Sequence, residues 1–407
     1  MTTKKKRLPT NLGLKLPGVS YLMPGSHKIE SHQANQSIMI KASDDLITAP
    51  LIFVPGIMGS RLFKKWSSEP IWPPVGWWDN GYFRPKSLQD LIKVRNKEVS
   101  QNEPLFPLFY SELMRYLETM GYILGKNFWV FAYDWTQSNR KSGEQLGKFI
   151  KEILSTHTQW KDVDIVNHSM GGLVTRSATR LFNAPIRRSV YIASPHYGSP
   201  KAYFILHPEI EFSVFGNLFK SMIGDLVWKW YSYQFGTTDA NSIEKEVKWV
   251  VCQMDSVFEL LPDRFYLNQK HPLVIRKSLS GDSPVYGPDA TYYVEQCKFP
   301  SPELQSRVRN AMIFKEELGA DLPGQENLVI YSDSEETPDQ IIYADMMHWR
   351  FERYQDSGQK GDMAVPADSA SLNHLPQAKK VIGTHSGVPN SQETSLLIRD
   401  FLLKPCA

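Results

Sequence analysis

The chain has 407 residues, 42% of them hydrophobic, with 46 Lys and Arg against 43 Asp and Glu and a formal net charge of +3. The apolar content is enough for a large core, and a charge this close to balance excludes the electrostatic footprint of a nucleic-acid binder, so no nucleic-acid partner is expected. Three cysteines, Cys252, Cys297 and Cys406, are too far apart for a zinc ribbon and too few for a disulfide framework; they read as reduced thiols.

Residues 1–46 are polar and aperiodic and read as an N-terminal arm. The arm opens on a basic Met1–Arg7, but Leu8–Gly18 is broken by proline and glycine and gives no signal-peptide core. No apolar run approaches the ~18 residues that span a bilayer. A cytoplasmic setting is expected, with any membrane contact peripheral. Order begins near Pro50. Leu51-Ile52-Phe53-Val54 is a continuous apolar run ending at Pro55-Gly56, the pattern of a buried strand entering a tight turn. Phe128–Ala132, Val163–Val166, Val190–Ala193 and Leu328–Tyr331 repeat it, separated by helix-compatible stretches such as Gln145–Leu154 and Gly171–Leu181. Alternating strands and helices predict an α/β fold with a mostly parallel sheet covered on both faces. Two stretches interrupt the alternation, an aromatic-rich insertion over 62–107 and a longer one over 201–326 that reads as a cap or lid. The expected organisation is therefore an arm over 1–46, a first core part over 47–200, the cap over 201–326 and a second core part over 327–407.

Chemistry concentrates at Ile165-Val166-Asn167-His168-Ser169-Met170-Gly171-Gly172, where a strand runs into a serine and then a small-residue helix start. A serine nucleophile placed this way needs a sharp turn that lifts its oxygen clear of the sheet, with small residues two before and two after. Gly171 satisfies the second position; Asn167 stands at the first, where glycine is usual. A helix-capping serine is the bland alternative. Such a nucleophile needs an acid after a late strand and a histidine after the last one. Asp362, in Gly361-Asp362-Met363-Ala364, provides the acid on a turn. His385, in Gly383-Thr384-His385-Ser386-Gly387, lies between a short strand-like segment and a terminal helix, Gln392–Leu403. His374 competes for the role, but only twelve residues separate it from Asp362, too few for an intervening strand and loop. His168 and His196 flank the serine's neighbourhood in sequence; His168 precedes the nucleophile on the elbow, where packing or orientation is the commoner role.

With these residues in view, the chain resembles the lecithin:cholesterol acyltransferase-like family of α/β-hydrolases, acyltransferases and phospholipases. Besides the elbow, the resemblance rests on Phe53-Val54-Pro55-Gly56-Ile57-Met58-Gly59-Ser60-Arg61-Leu62 as an oxyanion-loop segment and on Ala132-Tyr133-Asp134-Trp135, with Thr136 where the family signature has Arg. It rests further on Ala193–Lys201 after the elbow, the turn Leu260-Leu261-Pro262, and Thr337–Tyr343 as the hairpin before the acid. The family implies an oxyanion hole formed by the backbone N–H groups of Ile57 and Met170, which also fits the need for one donor after the nucleophile and one from an early turn. It implies a lipid or other hydrophobic ester as substrate, an acyl-enzyme on Ser169, and no metal or organic cofactor. Trp66, Trp72, Trp77, Trp78, Tyr82 and Phe83 crowd the first insertion. An amphipathic helix predicted over Phe215–Trp230 in the second reads as packed cap or as a lid facing lipid. The expected activity is that of a serine lipid acylhydrolase or O-acyltransferase. A non-lipid carboxylesterase or thioesterase and an inactive hydrolase-fold binding protein are the alternatives. Oligomeric state is open.

Overall fold

The computed structural model describes residues 47–66, 70–72, 89–94, 97–99, 105, 107–206, 247–267, 273–278, 281–285, 301–323, 326–344, 351–355 and 359–404, all within one compact unit, Lys41–Ala407. The predicted arm, Trp77, Trp78, Tyr82, Phe83 and the amphipathic helix Phe215–Trp230 lie outside the described residues.

Six strands form the central sheet: β1 (Leu51–Val54), β2 (Phe128–Val130), β3 (Val163–His168), β4 (Ile186–Ile192), β5 (Glu326–Ser332) and β6 (Lys379–Val381). Their order is β6-β5-β4-β3-β1-β2 and every pairing is parallel. The fold is that of an α/β-hydrolase. Continuous apolar strands are what a sheet covered on both faces requires, and β1 shows the division: Ile52 and Val54 join one core cluster, Leu51 and Phe53 the other. Helices α2 (Asn139–Thr156) and α3 (Gly171–Phe182) pack on the first face through Leu146, Ile150 and Val174. Helices α1 (Pro107–Thr119) and α6 (Gln392–Leu402) pack on the second through Leu113, Leu117 and Ile398. The sequence pattern missed α1 and began β4 four residues late, at Val190, because Arg187 and Arg188 interrupt its apolar run.

Both insertions contain strands. Leu62–Lys64 pairs antiparallel with Pro70–Trp72 and with Lys97–Val99. In the second insertion Val274–Ser278 pairs with Gly281–Val285 and with Gln340–Ala344, which forms an antiparallel hairpin with Phe351–Gln355 ahead of the acid turn. A short helix α4 (Pro200–Leu206) leaves the end of the core, and helix α5 (Pro302–Leu318) packs on α3. Among the described residues no helix is long and apolar enough to cross a membrane.

Candidate active site

Strand β3 is buried along its whole length and ends at His168; Ser169 then turns with φ 54° before α3 begins at Gly171. A non-glycine residue in the left-handed region is strained by about 1–3 kcal/mol and persists only where its surroundings hold it. Here the Ser169 amide donates to the Ile192 carbonyl at 2.9 Å, and its own carbonyl accepts from Gly172 N–H at 2.9 Å. The turn also demands empty space around it. A Cβ on Gly171 would lie 2.5 Å from the Val54 carbonyl oxygen, and one on Gly56 would lie 2.8 Å from Ser169 Cβ.

Ser169, His385 and Asp362 form one hydrogen-bonded chain. The Ser169 hydroxyl donates to His385 Nε2 at 2.8 Å, and His385 Nδ1–H donates to Asp362 Oδ2 at 2.8 Å. The backbone N–H of His385 also donates to the Asp362 carbonyl at 2.8 Å, so the loop after β6 is tied to the acid turn at two points. Asp362 Oδ1 accepts from Ala364 and Val365 N–H at 2.9 and 2.7 Å. Burial alone would raise the Asp362 carboxyl, but the facing His385 charge and these hydrogen bonds outweigh it, and the net shift is downward. His374 is elsewhere: its Nε2 meets Asp368 at 2.5 Å on an exposed turn.

Ile57 and Met170 flank Ser169 from the two turns that approach it, and neither backbone N–H hydrogen-bonds to another group among the described residues. The loop bearing Ile57 is strapped from four sides. Tyr133 Oη donates to the Pro55 carbonyl at 2.9 Å, Tyr110 Oη accepts from Gly56 N–H at 2.9 Å, Trp72 Nε1 donates to the Met58 carbonyl at 2.8 Å and Trp135 Nε1 to the Ser60 carbonyl at 3.1 Å. The Tyr-Asp-Trp segment is thus a brace for the loop. Thr136 occupies the place of an arginine, and the cation beside Asp134 is instead Lys97, at 3.2 Å from the carboxylate and 2.9 Å from the Thr136 hydroxyl.

The segment after β4 holds the acid turn. Ser199 Oγ donates to the Ala364 carbonyl at 2.5 Å and Lys201 Nζ to the Met363 carbonyl at 2.8 Å. Burial lowers the Lys201 ammonium to about 7. Gly198, at φ 91°, lets the Leu260-Leu261-Pro262 turn close on it: a Cβ there would stand 2.2 Å from the Leu261 carbonyl oxygen. His196 is buried against Tyr191, with ring centroids 5.2 Å apart, and does not join the serine; burial and the nearby Arg176 and Lys315 push its imidazole far down.

A cavity opens onto Ser169 and His385. Its walls are mostly apolar and include Ile57, Trp72, Leu91, Ile205, Val250 and Met254. Trp72, counted by sequence among the insertion's aromatics, is therefore both a wall of the cavity and a strap on the loop. Neither Tyr110 nor Lys201 is given a role by the sequence: Tyr110 sits in no recognisable motif, and Lys201 only closes the Ala193–Lys201 segment; spatial proximity marks both. Among the described residues no group of His, Cys, Asp and Glu has a metal-binding arrangement.

A sequence model of the lecithin:cholesterol acyltransferase family matches residues 104–209, the stretch holding α1, the Tyr-Asp-Trp segment, the elbow and the clamp on the acid turn. Over this stretch the chain is similar to that family. A curated relative, lecithin-cholesterol acyltransferase-like 4 of Arabidopsis thaliana, is 25% identical over 187 residues, 37% of this chain. The match spans 35%, about a third, of that relative's own length. The solved structure of the Tle4–Tli4 complex contains a chain that superposes with a TM-score of 0.61 at 16% identity, covering 87% of this chain and 98% of that one. A mature Bacillus licheniformis lipase is 13% identical, with a TM-score of 0.33 and coverage of 88% and 92%. The likeness to the chain of the Tle4–Tli4 complex is one of fold.

Proposed function

We propose that the chain is a serine lipid acylhydrolase or O-acyltransferase acting on esters of hydrophobic acyl chains, with Ser169 as nucleophile, His385 as general base and acid, and Asp362 as the group that orients and stabilises the imidazole. One observation carries this reading: a serine on a strained elbow, 2.8 Å from an imidazole that is itself 2.8 Å from a buried carboxylate, at the wall of an apolar cavity.

In the reaction, Ser169 Oγ attacks the ester carbonyl while its proton passes to His385 Nε2. The carbonyl oxygen takes up negative charge, which the N–H groups of Ile57 and Met170 meet; Met170 stands at the N-terminus of α3, where the helix dipole also favours an anion. The imidazolium is stabilised by Asp362 and delivers its proton to the departing alcohol, leaving the acyl group on Ser169. Water, or a second alcohol, then gives its proton to His385 and attacks the acyl-enzyme, and His385 returns that proton to Ser169 Oγ as the acyl bond to it breaks. The apolar walls favour a long acyl chain, each buried methylene contributing about 0.8 kcal/mol. Contact with a membrane surface is peripheral in this reading, and residues 201–326 act as the cap over the acyl cavity.

The test is covalent labelling by a fluorophosphonate, located by mass spectrometry. Wild type is expected to carry the label on Ser169, and Ser169→Ala and His385→Ala to lose it while His374→Ala keeps it. A folded wild type that takes no label would remove the enzymatic reading.

A further inference from the structure

His168 precedes the serine and takes no part in the reaction above, yet it occupies the centre of the site. It is buried, as is Tyr110, which reaches it from α1. Four groups from four separate stretches of chain make a continuous strut: Gly56 N–H donates to Tyr110 Oη at 2.9 Å, the Tyr110 hydroxyl meets His168 Nδ1 at 2.9 Å, and His168 Nε2 meets the His385 backbone carbonyl at 3.0 Å.

The direction of every bond in this strut is fixed by chemistry. A backbone amide can only donate and a carbonyl can only accept. His168 must therefore carry its proton on Nε2, and Tyr110 must point its hydroxyl proton at Nδ1 while its oxygen accepts from Gly56. Each end of the strut terminates beside a group the reaction needs. Gly56 precedes Ile57, the proposed oxyanion donor, and the carbonyl at the other end belongs to the base itself. The rings add a second constraint: the His168 imidazole lies 4.9 Å from that of His385 and 5.5 Å from the Tyr110 ring. Burial, and then repulsion from His385, lower His168 to about 3, so no like charge stands beside His385 when it takes the serine's proton.

We propose that Tyr110 and His168 are positioning residues that hold the oxyanion loop and the base loop at fixed distances from Ser169. The inference rests on the functional reading given above. It assigns neither residue a bond to substrate; both act through Ile57 and His385.

The test compares Tyr110→Phe, His168→Gln and His168→Ala with wild type, and includes Ser169→Ala. Fluorophosphonate titration counts competent sites, and turnover of a long-chain p-nitrophenyl ester gives kcat per labelled site and KM. Tyr110→Phe keeps the ring, whose edge packs on Phe53 at 4.9 Å between centroids, and removes only the hydroxyl that links the two halves of the strut. Its kcat per labelled site is expected to fall about 10- to 100-fold, the usual cost of losing a group that orients a reacting one, with KM changed less than about threefold. His168→Gln keeps a donor for the His385 carbonyl and is expected to recover part of what His168→Ala loses. A merely structural role predicts the reverse pattern: fewer labelled sites and a lower melting temperature, each remaining site turning over at the wild-type rate. That pattern, or wild-type kcat in Tyr110→Phe, overturns the inference alone. Label or turnover surviving in Ser169→Ala overturns the functional reading on which it rests.

Discussion

A narrow clearance separates Gly56 from the elbow, and Gly56→Ala measures what depends on it. A Cβ at position 56 would stand 2.8 Å from Ser169 Cβ and 3.3 Å from both His168 Nδ1 and the His168 carbonyl oxygen. Non-bonded carbons rest at about 3.5–4.0 Å, so the gap must open by about 1 Å. None of these partners is the end of a flexible side chain: Ser169 sits on the strained turn and His168 is held at both ring nitrogens. The loop must therefore move, and Ile57 N–H moves with it. Overpacking of this kind costs about 1–3 kcal/mol of stability. A displacement of about 1 Å in a positioned group costs about 100-fold in rate, similar to the loss of one oxyanion donor. The expected result is a folded protein, its melting temperature lowered by several degrees, with kcat reduced about 100-fold or more and KM for a long-chain ester little changed. Circular dichroism melts and ester turnover per fluorophosphonate-labelled site check both halves. A kcat within about threefold of wild type would mean that the gap opens without disturbing Ile57, and would refute the argument that the loop and the elbow are rigidly coupled.

Asp362→Asn keeps an oxygen to accept from Ala364 and Val365 but faces His385 with an amide; the imidazole proton then belongs on Nε2, where it blocks acceptance from Ser169. Turnover is expected to fall about 10⁴-fold with the fold intact, measured by initial rates and melts. His168→Gln is expected to change the pH dependence of stability. Folded His168 titrates at about 3 against 6.5 in its free state, lowered by burial and then by His385 and opposed by Asp362, so its contribution is complete above pH 6.5 and is lost as pH falls toward 3. The slope in that window reaches about 1.4 kcal/mol per pH unit for one proton. Urea unfolding at successive pH values should be flatter for His168→Gln, and an unchanged slope would argue against a neutral buried His168. Met254→Trp narrows the apolar cavity and is expected to shift preference from p-nitrophenyl palmitate toward the butyrate, by about 0.8 kcal/mol for each methylene excluded; equal losses on both esters would count against the cavity as the acyl site.

Much of this arrangement is legible in the chain because strands of a doubly covered parallel sheet must be apolar on both faces. Leu51–Val54 coincides with β1 for that reason, and Val163–Val166 falls short of β3 by two residues only because Asn167 and His168 are polar. The spacing of Ser169, Asp362 and His385 follows the order in which strand ends deliver side chains to one edge, so these residues could be named as candidates without coordinates, and they are hydrogen-bonded to one another in the structure. The supports of the site could not. Tyr110 carries no motif, and its hydroxyl is marked only by the fold, which brings it to the Gly56 N–H after β1 and to His168 at the end of β3. Lys201 closes the Ala193–Lys201 segment with nothing in the sequence to mark its role, yet its ammonium is buried under the acid turn. Helix α5 went unnoticed because its buried residues include Lys315, which pairs with Asp263 at 3.1 Å, so that its inner face is not uniformly apolar. Interactions between distant polar residues leave no period in a sequence.

Asn167 shows how the elbow tolerates a side chain where glycine is usual. Glycine is obligatory only where φ is positive or a neighbour approaches too closely. Asn167 is an ordinary strand residue of β3, in register with Val54 on one side and Tyr191 on the other, and the positive φ belongs to Ser169 two residues on. The remaining need is space, and it is met from outside the strand. A Cβ on Gly172 would lie 3.1 Å from Asn167 Oδ1 and 2.3 Å from Ser194 Oγ, so Gly172 and the small Ser194 leave the room that the asparagine fills. The Ser194 hydroxyl donates to Asn167 Oδ1 at 3.2 Å. The cost that remains is Asn167 Nδ2, buried and without a partner among the described residues, a penalty of about 1–3 kcal/mol. That cost falls on stability rather than on the geometry of Ser169, whose amide, carbonyl and hydroxyl are all engaged. The departure from the usual glycine is therefore compatible with a working nucleophile, because the space it takes is released by the next turn of the same elbow.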